Sequence, residues 1–168
     1  RGLRMPLLLS LLLACSPEGE ELSVSPVALL GSGEWEWEDL TEGDEVPVIQ
    51  GPQGGFHILG SVRVAGIKSG DPDNLGEPDN PTTTFYVWVE DQNLAPVSRY
   101  VQGLDPVSSE DVGDYSHEMV GRFAILDITD DDELDGIELT FEVVVEDVDG
   151  TLISDSLSLV AYPHPYNL

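Results

Sequence analysis

The stretch "IELTFEVVVEDVDGTLISDSLSLVA" (residues 137–161) decides the fold class. In its first ten residues Ile137, Leu139, Phe141, Val143 and Val145 fall on one side of an extended chain, with Glu138, Thr140, Glu142 and Glu146 on the other. Successive side chains of a strand point to opposite faces, so this spacing predicts a half-buried strand. "DVDG" (147–150) comes next, and Asp149-Gly150 is a two-residue hairpin signal because both residue types tolerate positive φ. "TLISDSLSLVA" then supplies the returning strand.

The same period recurs on the N-terminal side. "FHILGSVRVAGI" (56–67) places Phe56, Ile58, Val62 and Val64 on one face, opposite His57, Ser61 and Arg63. "TFYVWVE" (84–90) sets Phe85, Val87 and Val89 against Tyr86, Trp88 and Glu90. "EWEWE" (34–38) predicts a further strand, with Trp35 and Trp37 on one face and Glu34, Glu36 and Glu38 on the other. Shorter candidates lie at 27–30, 46–50, 97–102 and 119–128, and Gly, Pro, Asn and Asp fill the gaps as turns require. No useful window keeps a helical apolar period, and no internal repeat is found. The expectation is all-β: an antiparallel β-sandwich of about eight or nine strands over residues 27–168. One segment, "EDVGDYSH" (110–117), resembles the Asp-x-Gly-x-Tyr-x-Cys signature of immunoglobulin-type domains. Asp111, Gly113 and Tyr115 are in place and His117 stands where cysteine would be. The resemblance implies an Ig-like topology without its disulfide.

Charge narrows the partners. The 168 residues include 33 acids against six Lys and Arg, a formal net charge of −27. Arg1 and Arg4 precede Cys15 and no acid does, so the chain from Cys15 onward has four basic residues against 33 acids, or −29. Such a surface repels nucleic-acid phosphates and anionic headgroups, and it attracts cations and basic partners. Lys68 is the only lysine. With one cysteine no internal disulfide can form, so stability must come from packing or from a bound ion.

The first sixteen residues have a separate logic. Arg1 and Arg4 lead into "MPLLLSLLLA" (5–14), an apolar run of about ten residues, against roughly 20 for a membrane-spanning helix. A basic start, a short apolar core and a small residue before the break describe an export signal. Leu12-Leu13-Ala14-Cys15 resembles the lipobox of bacterial lipoproteins. That resemblance implies cleavage between Ala14 and Cys15 and a lipid on the Cys15 thiol, anchoring the protein to a membrane. Ser16, not aspartate, follows, which by the enteric sorting rule implies outer-membrane delivery, with the domain periplasmic or surface-exposed. The expected organisation is a signal peptide (1–14), a lipidated acidic tether (15–26) and the sandwich (27–168).

Among candidate sites, metal binding has the most sequence support. "DDELDGIELTFE" (131–142) approaches calcium-loop spacing, with Asp131, Glu133 and Asp135 at positions 1, 3 and 5, Gly136 at 6 and Glu142 at 12. Glu at position 3 and a strand after the loop argue against an EF-hand, which leaves a calcium-binding turn between strands. "DPDNLGEPDN" (71–80) is a second oxygen-rich loop, offering Asp71 and Asp73 with Glu77 and Asp79. Asp and Asn also favour turns without any ion. His57, His117 and His164 have no paired ligand spacing. The tryptophans offer a stacking platform or ordinary core. There is no Gly-x-Ser-x-Gly, His-Glu-x-x-His or phosphate loop. The expected function is therefore a non-catalytic binding or structural module at the bacterial envelope, with an envelope protein or a basic partner. The alternative is a calcium-dependent module using the acidic loops, and an enzyme with an unrecognised site ranks third. Replacing Cys15 by Ser is expected to release the protein from membranes on fractionation, and unchanged retention would sink the lipoprotein reading.

Overall fold

The computed structural model describes residues 24–107 and 113–167. The signal segment, Cys15 and the tether up to Leu22 and Ser23 lie outside the described residues, as do Asp111 and its neighbours. The described residues form eleven strands: β1 (Val27–Ser32), β2 (Glu38–Asp39), β3 (Glu45–Gln50), β4 (Phe56–Ala65), β5 (Thr82–Val89), β6 (Gln92–Asn93), β7 (Arg99–Val101), β8 (Asp105–Pro106), β9 (His117–Leu126), β10 (Glu138–Glu146) and β11 (Leu152–Pro163). Among the described residues one 3-10 turn, Asp131–Leu134, lies between β9 and β10. The all-β expectation holds, with seven strands of six residues or more and four short ones.

The strands form two layers. One runs β2-β1-β4-β9-β8 and the other β3-β11-β10-β5-β6, with β7 also on β5. β3 belongs to both: Glu45–Val48 runs parallel to Val160–Pro163, and then Ile49 and Gln50 pair antiparallel with His57 and Phe56. The sheet is therefore mixed rather than wholly antiparallel, because β3 leaves one layer to join the other. Pro47, which has no N–H to donate, fits there because β3 is an edge strand of the β10–β11 layer. This strand order resembles that of immunoglobulin-type sandwiches. The motif that suggested it does not carry the likeness. In those domains the tyrosine opens the penultimate strand, which here is β10. Tyr115 instead precedes β9, whose partners are β4 and β8.

Alternation gives the core. Phe56, Ile58, Val62 and Val64 of β4 face Phe85 and Val87 of β5 and Leu139, Phe141, Val143 and Val145 of β10, all buried. At Gly60 side chains of the facing layer reach the β4 backbone: a Cβ there would lie 2.7 Å from the Phe85 ring and 2.9 Å from that of Phe141. Opposite it, β9 holds one extra residue between Met119 and Arg122. Gly121 takes φ +70° in this bulge, and its N–H donates to the buried Ser61 hydroxyl.

Three local expectations are corrected. "EWEWE" is not a strand. Gly33, at φ +103°, turns the chain out of β1, and Glu38 and Asp39 return to pair with Ser32 and Gly31, so the motif forms a hairpin loop. Ile137 is more than a third exposed and lies before β10, in the loop whose Gly136 N–H donates to Ala161. The β10–β11 connection is longer than two residues. Gly150 N–H closes a turn onto the Asp147 carbonyl, Asp147 N–H bonds to the Thr151 carbonyl, and Gly150 takes φ +81°.

Asp147 ties that hairpin to the other layer. Its Oδ1 accepts from the N–H groups of Asp149 (3.0 Å) and Thr151 (2.9 Å), and its Oδ2 from Lys68 N–H (3.1 Å), just beyond β4. Burial opposes its ionisation, but these backbone donors outweigh that and hold the carboxyl below its usual range. A depressed folded-state pKa adds stability that is present above the unfolded value near 3.9 and lost as pH falls through the folded one. Asp147→Asn is expected to cost about 1–3 kcal/mol at pH 7 by chemical denaturation. That gap from wild type should narrow below about pH 4, and a gap that is constant in pH would refute the assignment.

Candidate functional site

The acidic loops have internal uses. Asp71 Oδ1 accepts from Asp73 N–H (3.0 Å), and Asn80, buried, accepts from Asp71 N–H and donates to the Asn74 carbonyl (2.8 Å each). Asn80 is the organising residue of the 71–80 loop, and the count of acids alone did not single it out. Asp73 is exposed. In the second loop Asp130 caps the 3-10 turn by accepting from Asp132 N–H (3.1 Å), and Glu133 accepts from the Thr129 hydroxyl (3.2 Å). Asp131 accepts from the Asn167 amide, and Asp135 closes the turn through its backbone N–H onto Asp132. Glu142 stands in mid-β10, where its carboxylate takes the Trp88 indole N–H at 2.9 Å. Thus Glu142 is engaged on a sheet face. Among the described residues the acids brought together are Asp130, Asp131 and Asp132, with one oxygen of each within 4.8 Å of the others. The spacing named Asp131 but missed its two neighbours in sequence, because it followed a loop template and not the turn they cap.

The histidines are apart in role. His57 packs on the Phe123 ring at 4.3 Å between centroids, and burial lowers its pKa against the opposing pull of Glu34. His117 contacts the Ser116 hydroxyl, and His164 contacts Tyr166.

The outer face of the β1–β4–β9 layer holds a different arrangement. The Trp37 ring lies flat on Gly31, where a Cβ would come within 2.5 Å of it. Arg63 of β4 lies 4.3 Å above the same ring and ion-pairs with its cross-strand neighbour Glu118 at 2.8 Å. Trp37 Nε1 donates to Asp39 (2.7 Å). Glu34's carbonyl rests against Gly121, so any Cβ there would collide with it. This packing fixes the 33–37 loop over the sheet and leaves Trp35 at its tip, 84% exposed. Between the loop and β9 runs a cleft of about 370 Å³ lined by Glu34, Trp35, Asp105, Glu118, Arg122 and Phe123, among others. Phe123 is 47% exposed. Arg122 is engaged by the Gln102 side chain (3.3 Å) and the Val120 carbonyl (2.9 Å). The cleft draws on β8, β9 and the 33–37 loop, so no local motif announces it; the one sequence signal is a tryptophan between acids just after a glycine.

A second depression, about 460 Å³, lies beside Lys68, Asp71, Glu77 and Asp79. The Lys68 ammonium is paired with Asp149 at 2.9 Å, and that hydrogen bond raises its pKa. Comparison with protein-family models, curated proteins and solved structures finds no match to this chain.

Gly31→Ala tests how the loop is held. The added methyl must push the Trp37 ring off the sheet, so the variant is expected to lose about 1–3 kcal/mol of stability. The Trp37 indole resonance should shift while that of Trp88 stays; a neutral effect would mean that the loop is not seated on Gly31.

Proposed function

We propose that this chain is a bacterial cell-envelope lipoprotein, held by a lipid on Cys15, whose β-sandwich acts as a non-catalytic binding module. The observation that carries the binding reading is the cleft beside Trp35: a large aromatic side chain is presented to solvent on a loop that is itself firmly seated. Exposed aromatics on rigid supports are what binding surfaces use, because little side-chain entropy is lost on contact. Val24 leads into β1 from the tether side, and the 33–37 loop lies past the other end of β1, about 20 Å further along for a six-residue strand. The partner is expected to be another envelope component, presented at the outer membrane, and the acidic shell argues against nucleic acid.

A second reading, a calcium-dependent module of the same fold, draws on the close carboxylates of Asp130, Asp131 and Asp132. Two measurements on the full chain in detergent separate the readings. In the first, solubilised envelope proteins are titrated into the isotope-labelled protein. Amide shifts are expected to gather on 34–37 and 118–123, and shifts confined to the β5–β10–β11 face would overturn the placement. In the second, a thermal melt at fixed ionic strength compares millimolar calcium with chelator. A site filled to about 100 times its dissociation constant adds roughly 2.7 kcal/mol, or about 5–10 °C. A rise of that size favours the calcium reading; the first reading expects a smaller one.

A further inference from the structure

We infer that the cleft beside Trp35 receives an arginine side chain from a peptide segment of the partner; this rests on the binding-module reading above and names the ligand chemistry of the same site. The protein carries the pattern of such a contact within itself. Arg63 lies over the Trp37 ring at 4.3 Å while its Nε bonds to Glu118 at 2.8 Å, so a guanidinium is held between an indole face and a carboxylate. A few residues away the same two components recur without the third. Trp35 is flanked by Glu34, Glu36 and Glu38 on one side and by Asp105 across the cleft, where Glu118 is already paired with Arg63.

The other two tryptophans are satisfied. Trp37 has Asp39 on its N–H and Arg63 on its ring, and Trp88 has Glu142 on its N–H and Tyr86 stacked at 5.7 Å. Trp35 has neither an N–H partner nor a ring partner among the described residues, and the carboxylates of Glu34, Glu36, Glu38 and Asp105 accept no hydrogen bond among them. The cations of the described residues have other partners: Arg63 bonds Glu118, Lys68 Asp149 and Arg99 Thr82, while Arg122, which lines the cleft, is held by the Gln102 side chain and the Val120 carbonyl and not by Trp35. An indole without a partner beside carboxylates that accept no hydrogen bond, of which Glu34 also pulls on His57, is complementary to a cation, and a planar guanidinium can stack and bond bidentately where an ammonium cannot. A neutral sugar would stack on the ring and could bond the carboxylates through its hydroxyls, but it would leave their net charge uncompensated.

The test is titration of the full, detergent-solubilised chain at 0.15 M salt with three capped glycine-flanked peptides, carrying two arginines, two lysines or two citrullines. Citrulline keeps the shape of arginine without its charge. The arginine peptide is expected to move the Trp35 indole resonance and the amides of 34–36 and Phe123. It should bind about tenfold tighter than the citrulline peptide and measurably tighter than the lysine peptide. Trp35→Ala, which leaves the net charge unchanged, should weaken it about fivefold. Glu45→Gln, at the exposed start of β3, should not. Equal binding to wild type and Trp35→Ala, with shifts spread over all acidic loops, would reduce the effect to diffuse charge and overturn the inference. If a chito-oligosaccharide moves Trp35 while the arginine peptide does not, the inference fails and the binding module stands. If the arginine peptide leaves Trp35 unmoved while envelope proteins still shift 34–37, the ligand chemistry is wrong and the site is right. If neither shifts it, both readings fall.

Discussion

The two layers of this protein meet at Gly60, where the absence of a side chain lets the rings of Phe85 and Phe141 from the facing layer reach the β4 backbone. Everything else is arranged around that contact. The rings are fully buried, and burying a phenylalanine stabilises by about 1.5–3 kcal/mol. No disulfide can help, and a net charge of −27 works against compactness, so apolar packing must supply the net stability. The bulge at Gly121 belongs to the same design. By adding a residue to β9 across from Ser61, it lets Glu34 approach the sheet, and so the core's geometry reaches the outer loop that carries Trp35.

Edge control explains why recognition is assigned to a face and not to an added strand. Beyond its short pairing with β8, the outer edge of β9 is covered by side chains. The Tyr100 hydroxyl donates to the Phe123 carbonyl (2.8 Å) and accepts from its N–H (3.1 Å), while Ser98 takes Ile125 N–H (2.7 Å). Burial raises the Tyr100 pKa despite those contacts, so the phenol stays protonated and keeps its donor role. On β1 the Leu30 N–H is taken by Asp155 of β11 at 2.8 Å. Pro47 blunts β3. These devices occupy several of the backbone donors on which a foreign strand would pair along β1, β3 and β9.

The acids divide by use. Asp44, Asp71, Asp130, Asp147 and Asp155 accept backbone N–H groups in turns and at a strand, which is ordinary aspartate chemistry in loops. Glu118 and Glu142 neutralise or hydrogen-bond neighbours on sheet faces. Glu34, Glu36, Glu38 and Asp105 accept no hydrogen bond and form no ion pair among the described residues, Glu34 acting only on His57 at a distance, and they lie beside the one tryptophan left without a partner. Acid content alone is uninformative in a chain with 33 carboxylates, and so is the lack of a partner, since Glu45, Asp73, Glu90, Asp91, Asp127 and Glu146 also accept no hydrogen bond among the described residues; what distinguishes Glu34, Glu36, Glu38 and Asp105 is that they lie beside Trp35.

Period two in β4, β5, β10 and β11 was legible in the sequence because a sheet side chain has only two directions to choose from. The buried set Ile58, Val62, Phe85, Phe141 and Val143 follows from that rule alone. The lipobox-like order at Cys15 is likewise a local pattern, readable without a fold. The same rule failed at "EWEWE", because alternation cannot register one glycine at φ +103° that turns a strand into a loop. It also could not foresee that β3 would change layers, since register across sheets depends on contacts far apart in the chain. The sequence by itself determined the class of fold, the core and the charge. Only the tertiary structure decided that Trp37 lies down on Gly31 and Trp35 stands free beside Asp105 and Glu118, because those neighbours come from segments some 70 to 85 residues away and meet only when the β1–β4–β9 layer closes.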